Sequence, residues 1–238
     1  MKPSSANPAA DAPPALTDDL DACLRPGRFT EADHPQVQDY AREAAAGADT
    51  PRQRAVALYY AVRDDLPYNP YNIPTTPEGY RAHRVLEAGE GFCINKAILL
   101  AACARAQQIP ARLAFADVRN HLNSERLTER MGTDLFIYHG VCELHIDGRW
   151  VKCTPAFNIG LCERAGIRPL EFDGREDSLF HPFDLAGRRH MEYVHDRGSY
   201  LEFPFEEAMV AFRAQYPRFY DSLGGSAGDF AAEARAGG

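Results

Sequence analysis

Cys93 has the sequence setting of a chemically reactive residue. It follows a glycine-flanked stretch, 89–92, and opens a small-residue, apolar helix predicted over 93–107, which Pro110 ends. At a helix start, free backbone N–H groups and the positive end of the helix dipole favour thiolate over thiol. Because thiolate is the nucleophilic form, the pattern predicts a nucleophile. The alternative is a small buried hydrophobic residue, which is what most free cysteines are.

A cysteine nucleophile needs a base, and the chain contains eight histidines. Two of them, His139 and His145, lie on the first strand of a predicted hairpin, whose turn is Asp147-Gly148. They are six positions apart and therefore share one face of that strand. Because both lie on the same face, the strand pattern does not indicate which of the two is the base.

A metal site is the other chemistry that these residue types could support. A zinc site usually draws its ligands from closely spaced Cys and His pairs. Cys142, His145, Cys153 and Cys162 lack that spacing, and Cys142 and His145 would point to opposite faces of one strand. The glycines at 89–91 are not followed by the Gly-Lys-Ser/Thr of a phosphate loop. We therefore expect no metal and no cofactor.

The elements that must position these residues come in the order helices, then strands. Helices are predicted over 33–46, 50–64, 80–88, 93–107 and 205–216, and strands over 111–118, 136–153, 191–194 and 200–203. Three prolines make 66–74 an extended loop, 120–132 is predicted to be a long polar connection, and the chain after Pro155 is predicted to be loop-like. This order predicts the α+β class, with N-terminal helices packed on a mostly antiparallel sheet.

Three segments of the chain together resemble the transglutaminase-like superfamily. Gly91-Phe92-Cys93, followed by the Ile-Pro-Ala-Arg sequence at 109–112, resembles that family's cysteine motif. Upstream, 62–68 is similar to its helix-to-tyrosine segment, and downstream, 139–151 is similar to its histidine hairpin, in which a Gly-x-Trp opens the partner strand. The likeness spans about residues 55–155 and leaves the tails and 160–238 unexplained.

The resemblance implies a papain-like core in which Cys93, at a helix N-terminus, faces His139 on the sheet. It implies that Cys93 attacks an amide or peptide carbonyl to give a thioester. His139 would protonate the leaving amine and then activate water or an amine acceptor. The backbone N–H of Cys93 would stabilise the oxyanion, with a second donor from the loop at 68–72.

One position departs from the family pattern. Where the family usually has the Asp that orients the histidine, this chain has Thr154. A threonine hydroxyl can accept a hydrogen bond from a ring N–H, but it supplies no negative charge. Thr154 could orient His139 in a weaker or specialised enzyme, or Asn158, Asp173 or Asp184 could fold back into the site. The third alternative is a relative without catalytic activity. We favour the first two, because Cys93 and His139 are both present.

Composition limits the partners and the compartment that we expect. A net charge of −8 argues against nucleic acid or an anionic membrane as the main partner. Residues 1–16 have no apolar core of signal-peptide length, and the chain has no transmembrane-length apolar run. None of the six cysteines forms a Cys-x-x-Cys pair, so reduced thiols in a cytoplasm are the simplest expectation.

The expected organisation is a single transglutaminase-like domain over 16–222, elaborated from about residue 160, between a disordered tail at 1–15 and a flexible tail at 223–238. The expected function is that of a cysteine enzyme acting on a peptide or amide through a Cys93 thioester. Hydrolysis by a protease or amidase is favoured over cross-linking, because water is the default acceptor. The alternative is a non-catalytic module that binds peptides. The oligomeric state stays open.

Overall fold

The computed structural model describes residues 19–221, so the tails predicted at 1–15 and 223–238 lie outside the described residues. The α-helices are α1 (Pro35–Ala44), α2 (Pro51–Asp65), α3 (Ala82–Ala88), α4 (Cys93–Ala106), α5 (Glu125–Met131), α6 (Ile159–Ala165), α7 (Phe205–Gln215) and α8 (Pro217–Asp221). The strands are β1 (Ala111–Asn120), β2 (Leu135–Ile146), β3 (Arg149–Cys153) and β4 (Met191–Tyr200). They form one antiparallel sheet in the order β3-β2-β1-β4. The α+β class is confirmed.

Two local signals in the sequence form as predicted. The Thr50 hydroxyl accepts the N–H of Gln53 at 3.2 Å, and the Gln53 side chain accepts the N–H of Thr50 at 3.0 Å, which is the capping box that starts α2. Asp147 and Gly148 both have positive φ, 49° and 83°, as the tight turn between β2 and β3 requires.

Helix α4 lies at the centre of the molecule. Every residue from Ile94 to Arg105 is buried. A helix that is apolar on all sides must be covered on all sides. The sheet covers one side of α4, mainly through β2, and helices α1, α2 and α3 cover the other. Its two end residues, Cys93 and Ala106, are half-buried.

Three parts of the predicted secondary structure are wrong. The connection at 120–132 contains α5, which Ser124 caps through the N–H of Leu127 at 3.1 Å. The loop-like region after Pro155 contains α6. The two short strands predicted at 191–194 and 200–203 are one strand, β4, which continues through Gly198 at a positive φ.

The apolar side chains form two clusters. The larger one joins α4, the N-terminal helices, the sheet, α5, α7 and α8. The smaller one is built mostly by residues after 155, including Phe157, Phe180 and Met191. Cys93 and Phe136 pack against both clusters, so the start of α4 lies where the two clusters meet. None of the helices within 19–221 has both the length and the apolar character needed to cross a membrane.

Candidate active site

Cys93 is the first helical residue of α4, and the loop before it is held in place by backbone hydrogen bonds. Gly91 donates to the carbonyl of Pro67 at 3.1 Å and accepts the N–H of Asn69 at 3.1 Å. The Glu90 carboxylate accepts the side-chain amide of Asn69. The tyrosine loop at 66–74 is therefore attached to the cysteine loop.

Gly140 brings strand β2 into backbone contact with the first turn of α4. A Cβ atom placed on Gly140 would lie 2.9 Å from the Cα of Ile94 and 3.0 Å from the carbonyl oxygen of Cys93. Real Cβ atoms are not found at such distances, so only glycine allows this approach. The contact sets how closely β2, and with it His139, approaches the cysteine.

His139 is buried on β2 directly before Gly140. Its ring packs against the ring of Phe180 with the centroids 4.8 Å apart. Its Nε2 atom is buried and has no hydrogen-bond partner in the part of the chain that the structure describes. The second candidate base, His145, instead packs on Trp150 near the hairpin turn, with ring centroids 5.2 Å apart. Of these two histidines, only His139 lines the same cavity as Cys93.

A bulge in β2 precedes His139. The register with β1 shifts between Ala116 and Val118, and Tyr138 has φ of 56°. A positive φ is unusual for a large aromatic residue, and bulges next to functional sites redirect the neighbouring side chains. The Asp117 carboxylate accepts the N–H of Tyr138 at 3.1 Å, and Arg197 donates to the same carboxylate at 2.5 and 2.9 Å. These contacts hold the strained residue in place.

Burial determines the protonation states of the Cys93–His139 pair. It raises the pKa of the Cys93 thiol to about 11, although the N–H groups of Gly140, Ile94 and Cys93 lower it. It lowers the pKa of His139 to about 3. The helix start therefore favours thiolate as predicted, but burial outweighs that effect. At neutral pH the resting pair is a thiol and a neutral imidazole.

Thr154 is buried, but it makes no hydrogen bond to His139. Its Oγ1 atom has no hydrogen-bond partner of good geometry among the described residues. Cys142 pairs with Cys153, so continuing the register beyond β3 places Thr154 opposite Val141 and on the same face of the sheet as His139. The hydroxyl of Thr154 lowers the pKa of Tyr193, although burial raises that pKa overall to about 12.

The three alternatives to Thr154 have other partners. The Asn158 side chain accepts the N–H of Tyr68 at 3.1 Å. Asp173 is exposed and accepts two N–H groups of its own turn. Asp184 is bound by Arg188. Among residues 19–221, none of the three makes a hydrogen bond or an ion pair with His139, and burial alone accounts for the lowered pKa of His139.

A cavity opens beside Cys93. Its volume is about 60 Å³. Cys93 and His139 both line it, together with Tyr68 from the tyrosine loop and apolar side chains from α5, α7, α8 and the chain after 155. Within residues 19–221, no group of three His, Cys, Asp or Glu side chains is arranged to hold a metal ion.

Residues 38–155 match the family model of the transglutaminase-like superfamily, and the matched range contains Cys93, His139 and Thr154. This segment is a transglutaminase-like core. A comparison with curated proteins finds no match. The solved structures that are similar to the chain include the following two. One is of a protein from Cytophaga hutchinsonii proposed to be a cysteine protease, at 18% identity and a TM-score of 0.47, with 82% of this chain covered.

The second similar structure is of a proposed protease from Parabacteroides distasonis, at 17% identity and a TM-score of 0.36, with 62% of this chain covered. The chain spans 50% of the first of these proteins and 30% of the second.

Lys96 is a residue of the transglutaminase-like core whose importance the sequence did not reveal. It lies one turn after Cys93 and is fully buried. Its ammonium group donates to the carbonyl oxygens of Arg63, Leu66 and Ala156 at 2.9, 2.7 and 2.8 Å. Burial lowers its pKa to about 7. Lys96 joins the end of α2, the start of the tyrosine loop and the chain after β3. The sequence feature that could have pointed to this role is a single lysine within a largely apolar helix.

Proposed function

We propose that this protein is a cysteine hydrolase that cleaves an amide or peptide bond through a thioester on Cys93. One observation supports this most: Cys93 and His139 line one cavity at the point where Gly140 brings β2 against the first turn of α4. A thiol and an imidazole that line one cleft are the parts that acyl transfer to cysteine needs.

The proposed reaction begins from the neutral pair. As the Cys93 sulfur attacks the carbonyl carbon, its proton passes to His139, which then delivers it to the leaving nitrogen. The C–N bond breaks, the amine departs and the acyl group remains as a thioester. Water then attacks the thioester with His139 as the base, which releases a carboxylic acid and restores the thiol.

The first turn of α4 supplies the donors that we propose for the oxyanion. The backbone N–H of Cys93 has no acceptor within the helix, because the first N–H groups of any helix have none. An N–H group that points at the developing negative charge lowers the barrier by about 3 kcal/mol in well-studied hydrolases. The loop at 68–72, which is attached to Gly91, is the source that we propose for a second donor.

The test is to trap the acyl-enzyme. The protein is mixed with an activated ester or anilide, quenched in acid and examined by intact-mass and peptide mass spectrometry. We expect one acyl group on Cys93, and no adduct and no turnover in Cys93→Ala. Cys103 lies on the same helix but is fully buried, so Cys103→Ala serves as the matched control and should still be acylated. Acylation elsewhere, or turnover by Cys93→Ala, would contradict the proposal.

A second function, a peptide-binding module without catalysis, is favoured by one observation. Thr154 occupies the position of the orienting carboxylate, and neither its hydroxyl nor the His139 Nε2 atom has a hydrogen-bond partner in the described chain. On this alternative, Cys93→Ala would keep the protein's biological effect, and no thioester would form with any substrate. The trapping experiment therefore separates the two functions.

A further inference from the structure

The cavity beside Cys93 has two apolar halves, which belong to the two hydrophobic clusters. Phe180, of the smaller cluster, lines the half next to His139. Met131 and Phe219, of the larger cluster, line the other half. Cys93 packs against both clusters. The thiol therefore lies at the junction of the halves.

The half away from His139 offers little to a charged ligand. No Asp, Glu, Lys or Arg of the described chain lines the cavity. The Tyr216 hydroxyl already accepts the N–H of Ile137 at 2.6 Å and donates to the carbonyl of Leu135 at 3.2 Å. The Tyr220 hydroxyl contacts the Met209 sulfur at 3.7 Å. The amide of Asn120 also lines the cavity, but a charged group that entered would lose its hydration without gaining an opposite charge.

The proposed reaction decides which part of a substrate enters each half. The leaving nitrogen must lie beside His139, because that imidazole protonates it. The acyl chain extends from the carbonyl carbon in the opposite direction. It therefore enters the half that Leu127 and Met131 of α5 and Phe219 of α8 enclose.

We infer that this half is an acyl-binding subsite for an uncharged, apolar acyl group. This inference rests on the proposed function, because it names the acyl part of the thioester. Met131 and Leu127 are its specificity-determining residues. They occupy one face of α5 at a spacing of four residues, and both side chains are buried.

The test compares p-nitrophenyl esters that share a leaving group and differ in the acyl group: acetyl, 3-phenylpropionyl and glutaryl, the last of which carries a carboxylate. We expect kcat/KM for 3-phenylpropionyl to exceed that for acetyl by at least about tenfold, because more apolar surface is buried. We expect it to exceed that for glutaryl by at least about a hundredfold. A flat profile, or a preference for glutaryl, would overturn the subsite.

Variants of α5 locate the selectivity. Met131→Lys should lower the ratio of 3-phenylpropionyl to glutaryl turnover by about a hundredfold, because the new ammonium pairs with the glutaryl carboxylate. Glu129→Gln changes the net charge by the same amount on the exposed side of α5 and should leave the ratio unchanged. Met131→Phe keeps the site apolar and therefore tests the same position if the lysine variant does not fold. It should shift the preference toward acetyl. An unchanged ratio in both Met131 variants would overturn the assignment.

A binding experiment separates failure of the subsite from failure of the proposed function. In Cys93→Ala, the fluorescent probe N-phenyl-1-naphthylamine should be displaced by 3-phenylpropionamide and not by glutaramate. If no ester acylates Cys93 but this displacement is selective, the proposed function fails and the apolar site stands. If the esters react without acyl selectivity, or glutaramate displaces the probe equally well, the subsite fails while the hydrolase stands.

Discussion

Buried polar side chains lie on both sides of the first turn of α4, and they differ in whether they have hydrogen-bond partners. On one side, the Lys96 ammonium donates to three carbonyl oxygens, one for each of its hydrogens. On the other side, His139 Nε2 and Thr154 Oγ1 are equally buried and have no hydrogen-bond partner within the described residues. The two groups belong to the same core and have very different hydrogen bonding.

We propose that this difference separates a structural group, Lys96, from a functional one, His139. A buried polar atom without a partner costs about 1–3 kcal/mol, so proteins satisfy nearly all such atoms. Lys96 follows that rule and fixes three segments around the site. His139 breaks it, as expected of a group whose partner arrives with the substrate or with water. Substitutions on the two sides should therefore affect different measurements.

His139→Phe should have the largest effect, and it should be on catalysis. Loss of the proton-transfer group should lower kcat by about a thousandfold, or about 4 kcal/mol in the barrier. The free energy of unfolding at pH 7 should not fall, because an unsatisfied nitrogen is removed from an aromatic environment. His145→Phe, on the same strand, should change kcat by less than about twofold. Stopped-flow kinetics and urea unfolding test both quantities, and equal losses in both histidine variants would contradict the assignment.

Lys96→Met should show the opposite behaviour. Three carbonyl oxygens lose their donor, so the free energy of unfolding should fall by about 3 kcal/mol. The folded fraction should keep most of its kcat. The matched control is Lys152→Met on β3, whose ammonium is partly exposed and lies 3.6 Å from Glu143. It should cost less than about 1 kcal/mol in urea unfolding. Similar losses of unfolding free energy in the two lysine variants would contradict the structural role of Lys96.

The acid stability of the protein should depend on His139. Burial lowers its pKa to about 3 from an ordinary value of 6.5, so between these values the unfolded chain binds more protons than the folded one. Stability therefore falls as the pH falls below 6.5, and this residue alone should remove about 2 kcal/mol between pH 8 and pH 5. His139→Phe should lose that part of the pH dependence, whereas His145→Phe should retain it. Unfolding series at several pH values provide the measurement.

Thr154→Asp should have the smallest effect, an increase in activity. A carboxylate on the face of the sheet that holds His139 should raise the pKa of the imidazole and stabilise its protonated form. We expect kcat/KM to rise by about tenfold, or about 1.4 kcal/mol, together with some loss of stability. NMR titration of His139 provides the direct test, with Thr154→Val as the uncharged control. An unchanged His139 titration would show that Thr154 does not face the ring.

Local chemistry determined which elements were predictable. Thr50 and Gln53 form their capping box from neighbours in the sequence, and Asp147-Gly148 needs no distant contact to turn. Cys93 at the start of α4 was likewise readable, because the apolar run after it can only be a buried helix. Helix α5 was missed because only Leu127 and Met131 face the interior, and five of its seven residues are polar or charged.

The electrostatics of the site could not be predicted in the same way. The raised pKa of Cys93 and the lowered pKa of His139 result from burial by segments distant in the chain, among them Phe180. The bulge at Tyr138 depends on Asp117 and Arg197, from two other strands. The sequence around Cys93 and His139 does not indicate these long-range contacts. The positions of the chemical groups were therefore predictable, whereas their protonation states were not.

The glycine at position 140 has a practical consequence for redesign. The spacing between nucleophile and base is set by two backbones in contact, β2 against α4, and not by the side chains that enclose the cavity. Side chains on α5 and α8 can therefore be exchanged for others of a different size or charge while the Cys93–His139 geometry stays fixed. The substrate selectivity of the protein can therefore be changed by substitutions on α5 and α8, while the Cys93–His139 pair that carries the chemistry is left unaltered.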